Sequence, residues 1–135
     1  MAANILVDAG FLVALLSRRD QHHAWAAAQL PRIIPPWKTC EAALSEAFHL
    51  LGPRGQPALA GLLRRAAVLP TFELDSELDR VLDLLQTYAN VPMSLADGCL
   101  VRMTEILADP LILTTDADFR IYRRHGRQVV PCLTP

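Results

Sequence analysis

The sequence has 135 residues, 52% hydrophobic and 20% charged, which makes one domain over residues 1–135 with its own core and excludes a disordered chain. No run approaches the roughly 18 consecutive apolar residues of a membrane span, and no signal-peptide pattern opens the chain, so a cytoplasmic protein with no membrane association is expected. A net charge of −1 excludes nucleic-acid binding by bulk charge alone.

The three cysteines, Cys40, Cys99 and Cys132, are odd in number and far apart, which suits a reducing compartment better than a disulfide framework. Lys38 is the only lysine, and every other basic residue is an arginine, a bias that genome composition explains as readily as phosphate binding does. The first apolar run, Ile5-Leu6-Val7, is too short for a buried helix and is closed by Asp8-Ala9-Gly10. It reads as a strand buried on both faces and ending in a carboxylate. A short apolar helix follows over 11–16, and Asp20 is the expected N-cap of a helix running to about residue 30. Ile33-Ile34, between Pro31 and Pro35, is the next candidate strand. Thr39 reads as the N-cap of a helix over 40–51, closed by Gly52-Pro53. Pro57 then fits the first turn of a separate helix whose inner face is Leu59, Leu62, Leu63 and Ala66.

A strand is expected between Val68 and Leu74, held to a sheet edge by Pro70. Leu78, Val81, Leu82, Leu85 and Ala89 form the inner stripe of an amphipathic helix over 76–89, which Pro92 ends. Ser94 starts a helix reaching Ala108. A second buried strand, Leu111-Ile112-Leu113-Thr114, leads into a helical turn through Tyr122, and Gln128-Val129-Val130 makes the final strand. Short apolar strands alternating with helices predict an α/β fold, a three-layer α/β/α sandwich on a central, mostly parallel sheet. The apolar residues Phe11, Leu12, Leu15 and Leu16, with the helices over 40–51 and 57–66, exceed what one side of a thin sandwich buries, so a partner is expected to cover some of them.

Four carboxylates stand where solvated charge is not expected. Asp8 ends the first strand, and the carboxyl edge of a parallel sheet is where ligands bind. Glu46 falls on the stripe of Ala43, Ala47 and Leu50, which a helix in a small sandwich turns inward. Asp97 lies in the first turn of the helix begun by Ser94, and Asp116 follows its strand as Asp8 follows the first. Each also has a local explanation: Asp8 as an N-cap, Ser94-x-x-Asp97 and Thr115-x-x-Asp118 as capping boxes, Glu46 reaching solvent from the edge of its stripe. Glu41, in the first turn of its helix, is assigned to the helix dipole. If the four converge, each ionised pair repels by roughly 3 kcal/mol at about 5 Å and an effective dielectric of about 20. Either some are then protonated or a hard cation neutralises them. Oxygen ligands around a wet cleft suit Mg²⁺ or Mn²⁺, and such an ion supports phosphodiester hydrolysis.

The stretches Ile5-Leu6-Val7-Asp8-Ala9-Gly10, Leu44-Ser45-Glu46-Ala47, Met93-Ser94-Leu95-Ala96-Asp97 and Leu113-Thr114-Thr115-Asp116-Ala117-Asp118-Phe119 resemble the motifs of the PIN-domain ribonucleases, in particular the VapC-like toxins of type II toxin–antitoxin systems. The resemblance holds in order and spacing and covers nearly the whole chain. It implies a parallel sheet flanked by helices, a Mg²⁺- or Mn²⁺-dependent endoribonuclease acting on RNA, a homodimer and a cognate antitoxin protein. It carries the catalytic and metal-binding roles onto Asp8, Glu46, Asp97 and Asp116, with Asp118 and Thr115 as accessories. Ala9 departs from the family's frequent Ser or Thr, and Gly98 from its common alanine, at a cost of roughly 1 kcal/mol of helix propensity. Neither removes a ligand.

Of Arg120, Arg123, Arg124 and Arg127, just past the last motif, some (Arg120, Arg123 and Arg124 foremost) are expected either to contact RNA phosphates or to stabilise a helix end. His22 and His23 read as surface residues. The alternative function is a catalytically inactive PIN-like module that binds RNA or protein. A receiver domain would need a second acid beside Asp8 and a late lysine, and a haloacid-dehalogenase-type phosphatase a second aspartate where Gly10 stands.

Overall fold

The computed structural model describes residues 2–135. Its strands are β1 Asn4–Val7, β2 Trp37–Thr39, β3 Val68–Pro70, β4 Pro110–Leu113, β5 Arg123–Arg124, β6 Gln128–Val129 and β7 Cys132–Leu133. Its α-helices are α1 Ala9–Leu16, α2 His23–Gln29, α3 Glu41–Arg64, α4 Leu74–Thr87 and α5 Leu95–Ile106. Five strands form one sheet in the order β3-β2-β1-β4-β7, parallel throughout, while β5 and β6 pair as a separate antiparallel hairpin. Among the described residues no helix is long and apolar enough to cross a membrane.

The alternation of side chains along β1 builds a core on each face of the sheet. Ile5 and Val7 join Phe11 and Leu12 of α1 and Leu44, Ala47, Leu59 and Leu62 of α3 on one side. Leu6 joins Val81 of α4, Leu100 and Val101 of α5, and Ile112 of β4 on the other. Each fully buried aliphatic side chain contributes roughly 2 kcal/mol of transfer free energy, so the central strand ties both layers to the sheet. This is the expected three-layer sandwich.

The chain begins in the middle of the sheet, moves outward through β2 and β3, then crosses back to lay β4 on the opposite side of β1. The order reverses between β1 and β4, and such a switch point opens a crevice at the carboxyl ends of the two strands. The register pairs Val7 with Leu113, so Asp8 and Thr114 emerge side by side into that crevice.

Several elements differ from the sequence expectation. Ile33-Ile34 is not a strand; the second strand is Trp37–Thr39, and Ile34 is exposed. Thr39 is therefore not an N-cap but a buried strand residue, whose hydroxyl donates to Val7 O at 2.7 Å, and Cys40 takes the cap position of α3. The helices expected over 40–51 and from 57 are both present as two segments of α3, separated at Gly52, whose φ of 64° and ψ of −175° are not helical; the second begins sooner than expected, directly after Gly52. Pro53 opens that segment, where a missing N–H costs least, and Pro57 lies one turn further in. Gln128-Val129 pairs with β5 outside the main sheet, and the last sheet strand is Cys132–Leu133, just after Pro131.

In α4 the buried residues are Val81 and Leu84, while Leu78 and Leu82 are 42% and 49% exposed. The helix leans on α5 along a narrower line than its apolar stripe. Gly98 explains that contact: a Cβ there would meet Val81 Cγ1 at 3.3 Å and Leu85 Cδ2 at 3.4 Å. Its absence lets α4 close on α5, which offsets the helix propensity lost at that position. Phe11 and Leu12 need no partner either, being fully buried within the chain, with Trp25 and Trp37 both edge-on to Phe11 at 6.0 Å. Pro70 does hold its strand, β3, at the sheet edge.

Candidate active site

A cleft of about 300 Å³ opens at the switch point, lined by Asp8, Gly10, Glu46, Ser94, Asp97, Thr115, Asp116 and Asp118 among others. All four acids singled out in the sequence, and both accessories, therefore border the same space. They arrive from four separate places: the end of β1, the middle of the first segment of α3, the first turn of α5, and the loop after β4.

Asp8 serves two purposes at once. Its Oδ1 accepts the Phe11 N–H at 2.8 Å and so caps α1, while its Oδ2 accepts the Thr114 hydroxyl. It is buried, and burial pushes its carboxyl from 3.8 up to about 7; the bonds from Thr114 and Phe11 oppose that rise, and the charges of Asp97 and Asp116 add to it. Asp97 is half-buried, its N–H donating to Ser94 Oγ at 3.1 Å and its Oδ2 accepting the Tyr122 hydroxyl at 2.9 Å. Burial raises this carboxyl too; the Tyr122 bond pulls the other way, and the Asp116 charge raises it further.

Asp116 donates its N–H to Thr114 Oγ1 at 2.9 Å and accepts the Asp118 N–H on Oδ1 at 2.9 Å. It, not Thr115, is the cap of the 3₁₀ turn Ala117–Arg120. Glu46 is exposed, as is Leu50 at 56%, so the face of α3 that carries them points outward at the rim of the cleft and not into the core. A side chain at position 10 would run into the Thr115 hydroxyl, so Gly10 leaves room for that hydroxyl beside Asp8.

Two residues that no sequence signal singled out complete this arrangement. Thr114 bridges Asp8 to the backbone of Asp116, and its role depends on the β1–β4 register, which no local pattern reveals. Tyr122 reaches Asp97 across 25 residues of sequence. Burial and the adjacent Asp97 charge push its phenol well above the usual range, so it remains a donor.

None of the four arginines lines the cleft, and Arg127 is exposed. Arg123 donates to the carbonyls of Arg120, Ile121 and Tyr122, closing the 3₁₀ turn, and Arg124 donates to Thr104 O on α5. Arg120 is exposed and bonds the Thr134 hydroxyl. His23 Nδ1 lies 2.8 Å from Ala14 O, and neither His22 nor His23 borders the acids.

Asp8 and Asp97, two neighbouring carboxyls whose proton affinity burial raises, are groups that a cation would relieve. Among the described residues, no group of three or more Asp, Glu, His or Cys side chains is gathered to hold an ion on its own. What the cleft does offer is carboxylate and hydroxyl oxygens around an open, wet space, the donor chemistry that Mg²⁺ takes. The hard oxygen donors fit the same ion.

The sequence matches the PIN domain family over residues 5–124. No curated protein matches it. Among solved structures it is similar to VapC20 of Mycobacterium tuberculosis, described as a sarcin-ricin-loop-cleaving toxin, with a TM-score of 0.72 and 22% identity over 85% of this chain and 92% of that one. At that identity the likeness speaks for the fold, while the family match spans nearly all the elements described above. The chain belongs to the PIN-domain family.

Proposed function

We propose that the cleft is the active site of a divalent-metal-dependent endoribonuclease, the toxin of a toxin–antitoxin pair. The observation that carries this reading is the buried Asp8 carboxylate at the sheet's switch point, with Asp97 and Asp116 near enough to add to its proton affinity. A binding module has no use for that arrangement, which costs stability. Asp8 and Asp97 would hold Mg²⁺ or Mn²⁺, with Asp116 and Glu46 acting through water. The bound ion would supply a water of lowered pKa and neutralise charge on a phosphoryl oxygen.

The remaining work falls to the chain itself. Thr114 and the Phe11 N–H fix the Asp8 carboxylate, and Ser94 fixes the backbone of Asp97. Glu46, the exposed acid at the rim, accepts the proton given up by the attacking water. Asp118 and the Thr115 hydroxyl border the cleft on its loop side, where Thr115 offers the hydroxyl that Ala9 lacks. Arg120 and Arg127 are the exposed members of the arginine group and would meet an RNA phosphate.

A homodimer and a cognate antitoxin belong to the same proposal, and exposed apolar side chains such as Leu78, Leu82 and Ile106 are surface that such partners would cover. Because the structural neighbour cleaves the sarcin-ricin loop, an RNA carrying that loop is the first defined substrate to try. The test is incubation of total RNA and of that RNA with the protein in Mg²⁺ or Mn²⁺ and in EDTA. Cleavage by the wild type that disappears in EDTA and in Asp97→Asn supports the proposal. No cleavage of either RNA in either metal favours the binding module instead.

A further inference from the structure

We infer that Tyr122 is a positioning residue for Asp97, fixing which carboxylate oxygen is offered to a metal in the cleft; the inference rests on the metal-nuclease reading above. Tyr122 has no exposed surface, and its hydroxyl donates to Asp97 Oδ2 at 2.9 Å. The ring cannot swing away. Tyr88 packs edge-on against it with centroids 5.1 Å apart, and Phe119 does the same at 5.3 Å. The Asp97 main chain is fixed independently by its N–H bond to Ser94 Oγ.

The carboxylate therefore has one oxygen occupied from the protein side while the residue borders the cleft. Without the phenol, the group turns about its last torsion and competes with water for its orientation. Partners of this kind, which touch a ligand and not the ion, typically change metal affinity by 10–100-fold when removed. A purely structural role is the rival account, in which Asp97 only satisfies a buried hydroxyl. Tyr88 is the matched control, since its hydroxyl accepts the Arg123 N–H at 2.8 Å and touches none of the acids.

The experiment is titration of Mn²⁺ into metal-free wild type, Tyr122→Phe and Tyr88→Phe, followed by calorimetry and Mn²⁺ electron paramagnetic resonance. Tyr122→Phe is expected to raise the Mn²⁺ Kd by roughly 10–100-fold with cooperative unfolding retained, and Tyr88→Phe to leave it unchanged. A Kd for Tyr122→Phe within about threefold of wild type, or an equal loss in Tyr88→Phe, overturns the inference. A wild type that binds no Mn²⁺ removes the metal reading itself, and this inference with it.

A second measurement needs no variant. The chain has two tyrosines, so ¹³Cζ-labelled tyrosine gives two resonances. Saturating Mg²⁺ should shift the Tyr122 signal and leave Tyr88 in place. A Tyr122 signal that stays put while Mg²⁺ binding is demonstrated by calorimetry contradicts the positioning role.

Discussion

Replacing Asp8 by Asn should stabilise the metal-free protein at alkaline pH while leaving it inactive. Burial raises the Asp8 carboxyl from 3.8 to about 7, so the folded state holds this proton more tightly than the unfolded state does. A raised carboxyl leaves stability untouched below its unfolded value, and stability falls as pH rises from there to the folded value. The full loss, about 3 units at 1.36 kcal/mol each, is about 4 kcal/mol above pH 7. Between pH 5 and pH 8 the Asp8 share of that loss is roughly 2–3 kcal/mol.

Asn carries no charge, keeps an oxygen for the Phe11 N–H, and turns an amide toward Thr114, whose hydroxyl must then accept. That exchange costs about 1 kcal/mol. The net gain at pH 8 is roughly 3 kcal/mol, or roughly 5–10 °C in Tm for a domain of this size, shrinking toward zero at pH 5. Thermal melts of both proteins in EDTA across that range check it. Taking the difference between them cancels every pH effect that the two proteins share. An Asp8→Asn protein less stable than wild type at pH 8, or a difference independent of pH, would refute the reasoning and leave Asp8 as a helix cap only.

Three further outcomes are expected. An ion that binds only the folded state adds RT ln(1 + [L]/Kd), so Mg²⁺ at a hundredfold excess over Kd should stabilise wild type by about 2.7 kcal/mol, and Asp8→Asn much less, in melts with Mg²⁺ and with EDTA. Glu105→Gln should destabilise by roughly 2 kcal/mol, less than for a fully buried pair because Arg80 and Arg102 are 34% and 26% exposed, as chemical denaturation will show. Burial alone would raise the Glu105 carboxyl, but its bonds from Arg80, the His125 N–H and Arg102 hold it below the ordinary range. Its contribution is thus present above the unfolded carboxylate pKa and lost as pH falls through the folded one, a dependence that Gln abolishes. Gly10→Ala should turn the Thr115 hydroxyl off its present position at a cost of about 1 kcal/mol, which the gain in helix propensity at that position largely offsets, while lowering RNA cleavage; melts and the nuclease assay together check it.

The layers, the parallel sheet and the placing of Asp8 and Asp116 after buried strands are legible in the chain, because a short aliphatic run followed by a carboxylate is a local signal. What escapes depends on longer-range contacts. Strand β2 is three residues between prolines and a helix, and only its pairing with Leu6 and Val68 marks it as sheet. Gly52-Pro53 reads as a stop and is one, but the chain turns straight into the second segment of α3 because that segment's own apolar face, Leu59 and Leu62, packs on the same core as the first. Periodicity puts Glu46 on an inward stripe, but Leu50 on that stripe is exposed, since the kinked helix meets the sheet with a narrower face. Thr114 and Tyr122 are invisible for a related reason: each touches an acid that lies 106 or 25 residues away.

Anomalous diffraction from crystals soaked in Mn²⁺ shows whether Asp8, Glu46, Asp97 and Asp116 gather one catalytic cation. A single strong peak is expected in the cleft, bonded to both Asp8 and Asp97, with ordered waters filling the rest of its shell toward Asp116 and Glu46, and no such peak in Asp97→Asn. Crystals saturated with Mn²⁺ that show no peak in the cleft, or only peaks at surface acids such as Asp75 and Asp79, would contradict the metal-nuclease reading.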